Sequence, residues 1–212
     1  GISEGDKLLT FSKIRAASQI MANLPYVKGV RIGIKLPDTV NIMIEEESVV
    51  YAIKSSDGQW WMMDSDGRVV EQANNAKAAT ATQVLGVTLE APTVNEKGVA
   101  TEMTPSETNE LGELIPVTTT GAQRLTAALQ ILKALENNDI VGEAASVDVT
   151  STEDIILWYG TRYQVNLGDT SRLDYKVDCM NDAILQMSDY QSGVLDISFT
   201  IWPNQVGYTP FA

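Results

Sequence analysis

The stretch Asn23-Leu24-Pro25-Tyr26-Val27-Lys28-Gly29-Val30-Arg31-Ile32-Gly33-Ile34-Lys35-Leu36-Pro37-Asp38-Thr39-Val40-Asn41-Ile42-Met43-Ile44-Glu45 decides the fold class of this 212-residue chain. Just before it, Phe11, Ile14, Ala17, Met21 and Leu24 recur at helical spacing behind a capping hydroxyl at Thr10 or Ser12. Pro25 ends that helix, because its ring offers no N–H and disfavours helical backbone in the residue before it. From Tyr26 the period drops to two: Val30, Ile32, Ile34 and Leu36 alternate with Arg31, Gly33 and Lys35, as in a half-buried strand. Pro37-Asp38 turns the chain, and Val40, Ile42 and Ile44 alternate on the return. A helix followed by a hairpin makes one small α+β unit.

Downstream, Ser55-Ser56-Asp57-Gly58 and Asp64-Ser65-Asp66-Gly67 place Asp-Gly turns between short apolar runs, Val49 to Ile53, Trp60 to Met63 and Arg68 to Glu71. That is a meander. In it, Trp60-Trp61 puts one indole on each face of a strand. Residues 91–113 fade into Pro, Thr, Asn and Glu and read as a long surface loop. Thr120 with Gln123 forms a capping box ahead of a second helix, whose stripe is Leu125, Ala128, Leu129, Leu132 and Leu135 and which Asn137-Asn138-Asp139 closes. Strands follow at Ser146 to Val149, Ile155 to Tyr159 and Arg162 to Leu167, the last two joined at Gly160-Thr161. A third helix carries Leu173, Val177, Met180, Ile184 and Met187 on one face, and Val194 to Thr200 alternates as a last strand. Short turns between adjacent strands imply antiparallel pairing. The class is therefore α+β, a helix plus β-hairpin followed by a mainly antiparallel β domain with two helices.

Composition narrows the chemistry. The chain has 15 Lys and Arg against 28 Asp and Glu, a net charge of -13, no histidine and one cysteine. Histidine-based triads, shuttles and metal sites are thereby removed, as is any internal disulfide or Cys-x-x-Cys pair. The acidic excess repels phosphate backbones, so nucleic acid is not an expected partner. Cys179, among Val177, Met180 and Ile184, reads as a small apolar residue.

What remains for catalysis is a carboxylate pair. Candidates are Glu45-Glu46-Glu47, Asp64 with Asp66, and Asp148 with Glu153 and Asp154. Each has a plainer reading: Asp beside Gly67 folds onto its own backbone in a turn, and glutamates at a strand end keep a sheet edge soluble. Asp64-Ser65-Asp66-Gly67 does not complete a calcium loop, since Glu71 follows Gly67 too early. No metal or cofactor is called for. The C-terminus is more telling, because a last strand can lie at a sheet edge and its tail, Trp202 to Phe211, is aromatic where a free end is normally polar. Either another chain extends that edge, or Trp202, Tyr208 and Phe211 pack back on the domain.

Several of these motifs, in order, resemble a known family. Asn23-Leu24-Pro25-Tyr26-Val27, Lys35-Leu36-Pro37-Asp38-Thr39-Val40-Asn41-Ile42 and Glu46 are similar to the second half of a POTRA domain of the FtsQ/DivIB division proteins, and the opening Gly5-Asp6-Lys7-Leu8-Leu9 to the turn before the second POTRA helix. Met63-Asp64-Ser65-Asp66-Gly67-Arg68-Val69, Gln164-Val165-Asn166-Leu167-Gly168 and Leu195-Asp196-Ile197 continue the resemblance at matching intervals. Leu36 stands where many members have tryptophan and Val49 where many have proline, and residues 91–113 have no counterpart.

The resemblance implies that 1–53 is a partial POTRA domain, 54–212 the β domain, and the chain no enzyme. It implies the extracytoplasmic region of a bitopic divisome scaffold at the division septum, held in the cell membrane by an N-terminal helix outside this chain. The opening Gly1-Ile2-Ser3 accordingly reads as that of a trimmed fragment. Its partners would be FtsB/DivIC-like and FtsL-like single-pass proteins, bound by strand addition to help regulate septal peptidoglycan synthesis. Carried onto this chain, the partner-binding positions are Ser198 and Phe199 of the last strand and Val206, Gly207 and Tyr208 of the tail, with the segment between them one residue longer than in the family. The rival expectation is a secreted carbohydrate-active hydrolase using two carboxylates; a third is a POTRA module serving protein transport.

Overall fold

A computed structural model describes residues 11–46, 50–102, 119–200 and 204–211. The first helix, α1 (Lys13–Asn23), starts at Ser12, whose hydroxyl accepts from the Arg15 N–H at 3.3 Å; the alternative cap, Thr10, lies outside the described residues. Leu24, held extended ahead of Pro25, ends it. Strands β1 (Val27–Lys35) and β2 (Thr39–Glu46) form an antiparallel hairpin in which Val30 faces Ile44, Ile32 faces Ile42 and Ile34 faces Val40, giving one apolar side. Ala16 of α1 and Val27 of β1 are buried, whereas Ile14 stays 81% exposed although its spacing places it on the apolar stripe.

The rest of the described chain builds one nine-stranded sheet. Its strands are β3 (Tyr51–Ser55), β4 (Trp60–Met63), β5 (Val69–Ala73), β6 (Gln83–Leu89), β7 (Ala144–Asp148), β8 (Ile155–Tyr159), β9 (Tyr163–Gly168), β10 (Gly193–Asp196) and β11 (Gly207–Pro210). In space they run β11-β10-β9-β8-β7-β6-β3-β4-β5. The helices are α2 (Asn75–Ala78), α3 (Gly121–Asn137) and α4 (Leu173–Leu185). The class is α+β as expected, and most pairings are antiparallel. Three are parallel, β3 with β6, β6 with β7 and β9 with β10, the last two across connections that carry α3 and α4. The unit boundary expected at 53 falls inside β3, so Tyr51, Ala52 and Ile53 belong to the large sheet.

Helices α3 and α4 lie side by side on one face, over a core that includes Tyr51, Ile53, Leu132, Leu157, Val165, Val177 and Leu195. The capping box at Thr120 and Gln123 forms as the sequence predicts, and Asn138 caps the far end. On the reverse face, Ala52, Met62, Val70 and Ala78 make a smaller cluster with Tyr26 and Trp60, so Trp60 and Trp61 serve opposite faces. Tyr26 also donates to Glu71 at 2.5 Å, Glu71 pairs with Lys77, and Asn95 Nδ2 donates to the Ala22 carbonyl at 2.7 Å. These contacts join the N-terminal helix and hairpin to the large sheet at its β5 end.

Part of the expected loop is structured: Leu89 bridges Ala100 and Arg68 bridges Lys97, while residues 103–118 lie outside the described ones. Strand β6 has no counterpart in the sequence reading. It bulges where Ile53 pairs Val84 but Lys54 pairs Thr88, and Gly86 there has φ of 81° with Thr150 packed against it.

Candidate partner-binding edge

The alternation predicts a last strand from Val194 to Thr200, with Ser198 and Phe199 on it; the strand stops at Asp196. The Asp196 carboxylate accepts from both the Ser198 N–H at 3.0 Å and the Ser198 hydroxyl at 2.7 Å, closing a local turn. Phe199 then takes φ of 58°, which takes the backbone out of the extended region. Ser198 and Phe199 are therefore beside the sheet rather than in it.

Phe199 joins a small clamp. Its ring lies 5.6 Å from that of Tyr175, and the Arg172 guanidinium sits 4.4 Å from the Tyr175 ring centre and 5.6 Å from that of Phe199. Arg172 also donates to Asn204 Oδ1 at 3.0 Å, so the start of α4 holds the chain on both sides of the 201–203 segment. The neighbouring Cys179 thiol pushes the Tyr175 phenol up. Beneath the clamp, Lys176 is 1% exposed and donates at 2.8 Å to the Leu167 carbonyl, the Asp169 carbonyl and the Asp169 carboxylate. That ammonium, with the Ser171 hydroxyl, holds the Asp169 carboxyl down at about 2.

Val206, Gly207 and Tyr208 do come to the sheet edge. They lead into and begin β11, a strand absent from the sequence reading, which pairs antiparallel with β10. For Tyr208 and Phe211 the second reading of the tail applies: it packs back on the domain by becoming the new edge of the sheet. Tyr208 pairs with Leu195 on the helix side, packs on the main core, and donates from its hydroxyl to the Ser192 carbonyl at 3.1 Å. Phe211 crosses to the open side and stacks on Trp158 at 6.2 Å, and its N–H also donates to Ser192 at 3.1 Å. Trp202 lies outside the described residues.

The strand fits because of Gly193. A Cβ there would lie 2.3 Å from the Thr209 carbonyl oxygen, 2.8 Å from the Tyr208 ring and 2.9 Å from Pro210 Cα, so any side chain collides with β11. No local signal marked Gly193. Pro203-Asn204 ahead of Gly207-Tyr208-Thr209 is the turn-then-strand pattern that could have revealed β11.

Two of the carboxylate candidates, Asp64 and Asp148, are engaged by their own turns. Asp64 accepts from the Asp66 and Arg68 N–H groups and the Arg68 side chain, and Asp148 accepts from the Thr150 N–H, which are turn-forming roles. Glu45 packs opposite Gly29 on the hairpin, and Glu47 lies outside the described residues. Among the described residues no group of three His, Cys, Asp or Glu converges as a metal site, and no helix is long and apolar enough to cross a membrane.

Comparison with known proteins agrees with this architecture. Residues 1–47 match the FtsQ-type POTRA domain. The cell division protein DivIB of Clostridium tetani is 24% identical over 201 residues, 93% of this chain and 68% of that protein. DivIB of Clostridium acetobutylicum is 28% identical over 88 residues, 42% of this chain and 34% of that protein.

Proposed function

Since the chain belongs to the FtsQ/DivIB family of cell division proteins, we propose that it works as a scaffold whose β10–β11 edge takes an extended strand from a partner. The partners are FtsB/DivIC-like and FtsL-like single-pass proteins, met on the extracytoplasmic face of the cell membrane at the septum. Recruiting them helps regulate septal peptidoglycan synthesis. In this reading the chain acts by binding other proteins, not by catalysis. The observation that supports this best is the edge itself: a four-residue strand ends the sheet, with Val206, Gly207 and Tyr208 along it and the Arg172–Tyr175–Phe199 clamp beside it. Strand addition draws affinity from main-chain hydrogen bonds and specificity from neighbouring side chains, and β10 with the aromatic residues around it supplies both.

Gly193→Val tests the site. The added side chain blocks any strand from lying against β10, while the Gly193 and Ile197 N–H groups still hold β10 from the other side by donating to the Arg162 and Asn166 carbonyls. Binding to a DivIC-like ectodomain, measured by biolayer interferometry, is expected to fall at least tenfold with the cooperative melt retained. An affinity equal to wild type would remove this edge as the site. Gly193→Ala is the milder companion should the valine variant melt early.

A further inference from the structure

We propose that β11 is a resident strand sitting in the partner's own seat on β10, and that the incoming segment displaces it instead of adding outside it. The idea rests on the proposed partner-binding role of this edge. The displacing segment is an extended stretch with an aromatic residue placed opposite Leu195, where Tyr208 now lies.

Register carries the inference. Phe211 donates to Ser192, which makes 192 and 211 a hydrogen-bonded pair; by alternation Val194 with Thr209 and Asp196 with Gly207 are hydrogen-bonded too. The backbone groups of Tyr208 and Pro210 therefore point away from the sheet. Of these two residues only Tyr208 offers an N–H outward, because proline has none. An edge carrying proline at an outward position is blunted against further pairing, so a strand outside β11 gains few bonds.

On β10 the situation is reversed. Val194 and Asp196 direct both N–H and C=O towards the β11 position, and Ser192 adds a carbonyl that already takes two donors. The side-chain sockets are also on this side: Tyr208 on the core and Phe211 on Trp158. Tail and sheet together have the anatomy of a peptide bound by strand addition, with main-chain ladder and anchors on alternate faces. Release of β11 leaves β10 paired to β9 and Leu195 and Ile197 in the core. A tethered occupant competes at an effective concentration on the order of millimolar, which sets a threshold for the partner.

The test is a calorimetric titration of the DivIC-like ectodomain into the full chain, into Thr209→Pro, which removes the N–H facing Val194, and into a chain ending at Gln205. Displacement predicts that both changes tighten binding tenfold or more. It also predicts that a synthetic Asn204–Phe211 peptide binds the shortened chain and competes with the ectodomain. Loss of ectodomain binding in both variants, with wild type binding, overturns displacement in favour of addition to β11 and leaves the edge role standing. Equal affinity in all three overturns displacement as well. If none of the three binds, wild type included, the partner-binding role itself fails. Thr209→Pro keeps the full length, so the outcome does not hang on whether the shortened chain folds.

Discussion

Replacing Lys176 by methionine isolates the interaction that fixes the start of α4, and with it the clamp beside the β10–β11 edge. Methionine fills similar space, so the change deletes the ammonium with little loss of volume. Three donations at 2.8 Å disappear, two of them to backbone carbonyls, Leu167 and Asp169, that no rearranged side chain replaces. An acceptor left buried costs about 1–3 kcal/mol. The Asp169 side chain is 58% exposed and rehydrates, so its own share is small. Relief of the desolvated charge offsets part of the loss, leaving a net destabilisation of about 2–3 kcal/mol. For a chain of this size that is a fall in Tm of roughly 4–12 °C.

The acid limb supplies an independent readout. Asp169 is held at about 2 against an ordinary 3.8, so its stabilising share is full above pH 3.8 and is lost as pH falls through about 2. The unscreened ceiling for that shift is roughly 2.4 kcal/mol, and exposure reduces it to about 1 kcal/mol. Urea unfolding at pH 7, repeated between pH 4 and pH 2, is the assay. Wild type loses stability across that window faster than Lys176→Met, which no longer has the pairing to lose. Equal or greater stability for Lys176→Met at pH 7, or parallel acid limbs for the two proteins, would refute the reasoning.

Two further outcomes concern joints of the fold. Glu71→Ala is expected to loosen the N-terminal helix and hairpin from the β5 end: burial and the Glu71 carboxylate together raise the Tyr26 phenol, so its ultraviolet titration should move down towards 10. Hydrogen exchange in β1 should rise with it, and an unmoved phenol titration would count against the joint. Gly86→Ala places a Cβ 2.2 Å from the Thr150 nitrogen at a φ of 81°, and is expected to cost about 2 kcal/mol or more by urea unfolding. A loss below about 0.5 kcal/mol would show that the bulge relaxes freely.

Local rules carried much of the chain. Ser12, Thr120 with Gln123, the two Asp-Gly turns and the Trp60-Trp61 alternation all act through neighbours within a few residues, and each is found where its pattern predicts. The misses have two causes. Strand β6 is defined by partners at Ala52 to Ser55 on one side and Ser146 to Asp148 on the other, distant in sequence, and its glycine bulge breaks the alternation that would have marked it. Val194 to Thr200, by contrast, alternates as a strand should, and a local contact ends it early, the side chain of Asp196 capturing Ser198 two residues on.

By itself the sequence determined the α+β class, the helix-plus-hairpin opening, the lack of histidine chemistry and the aromatic character of the tail, because composition and period express short-range sterics and burial. Only the tertiary structure decided that the tail folds back as β11, that Gly193 makes the room for it, and that Pro210 turns its blunt side outward. Those are matters of register between segments, and register is set when distant backbone donors and acceptors meet over a shared core.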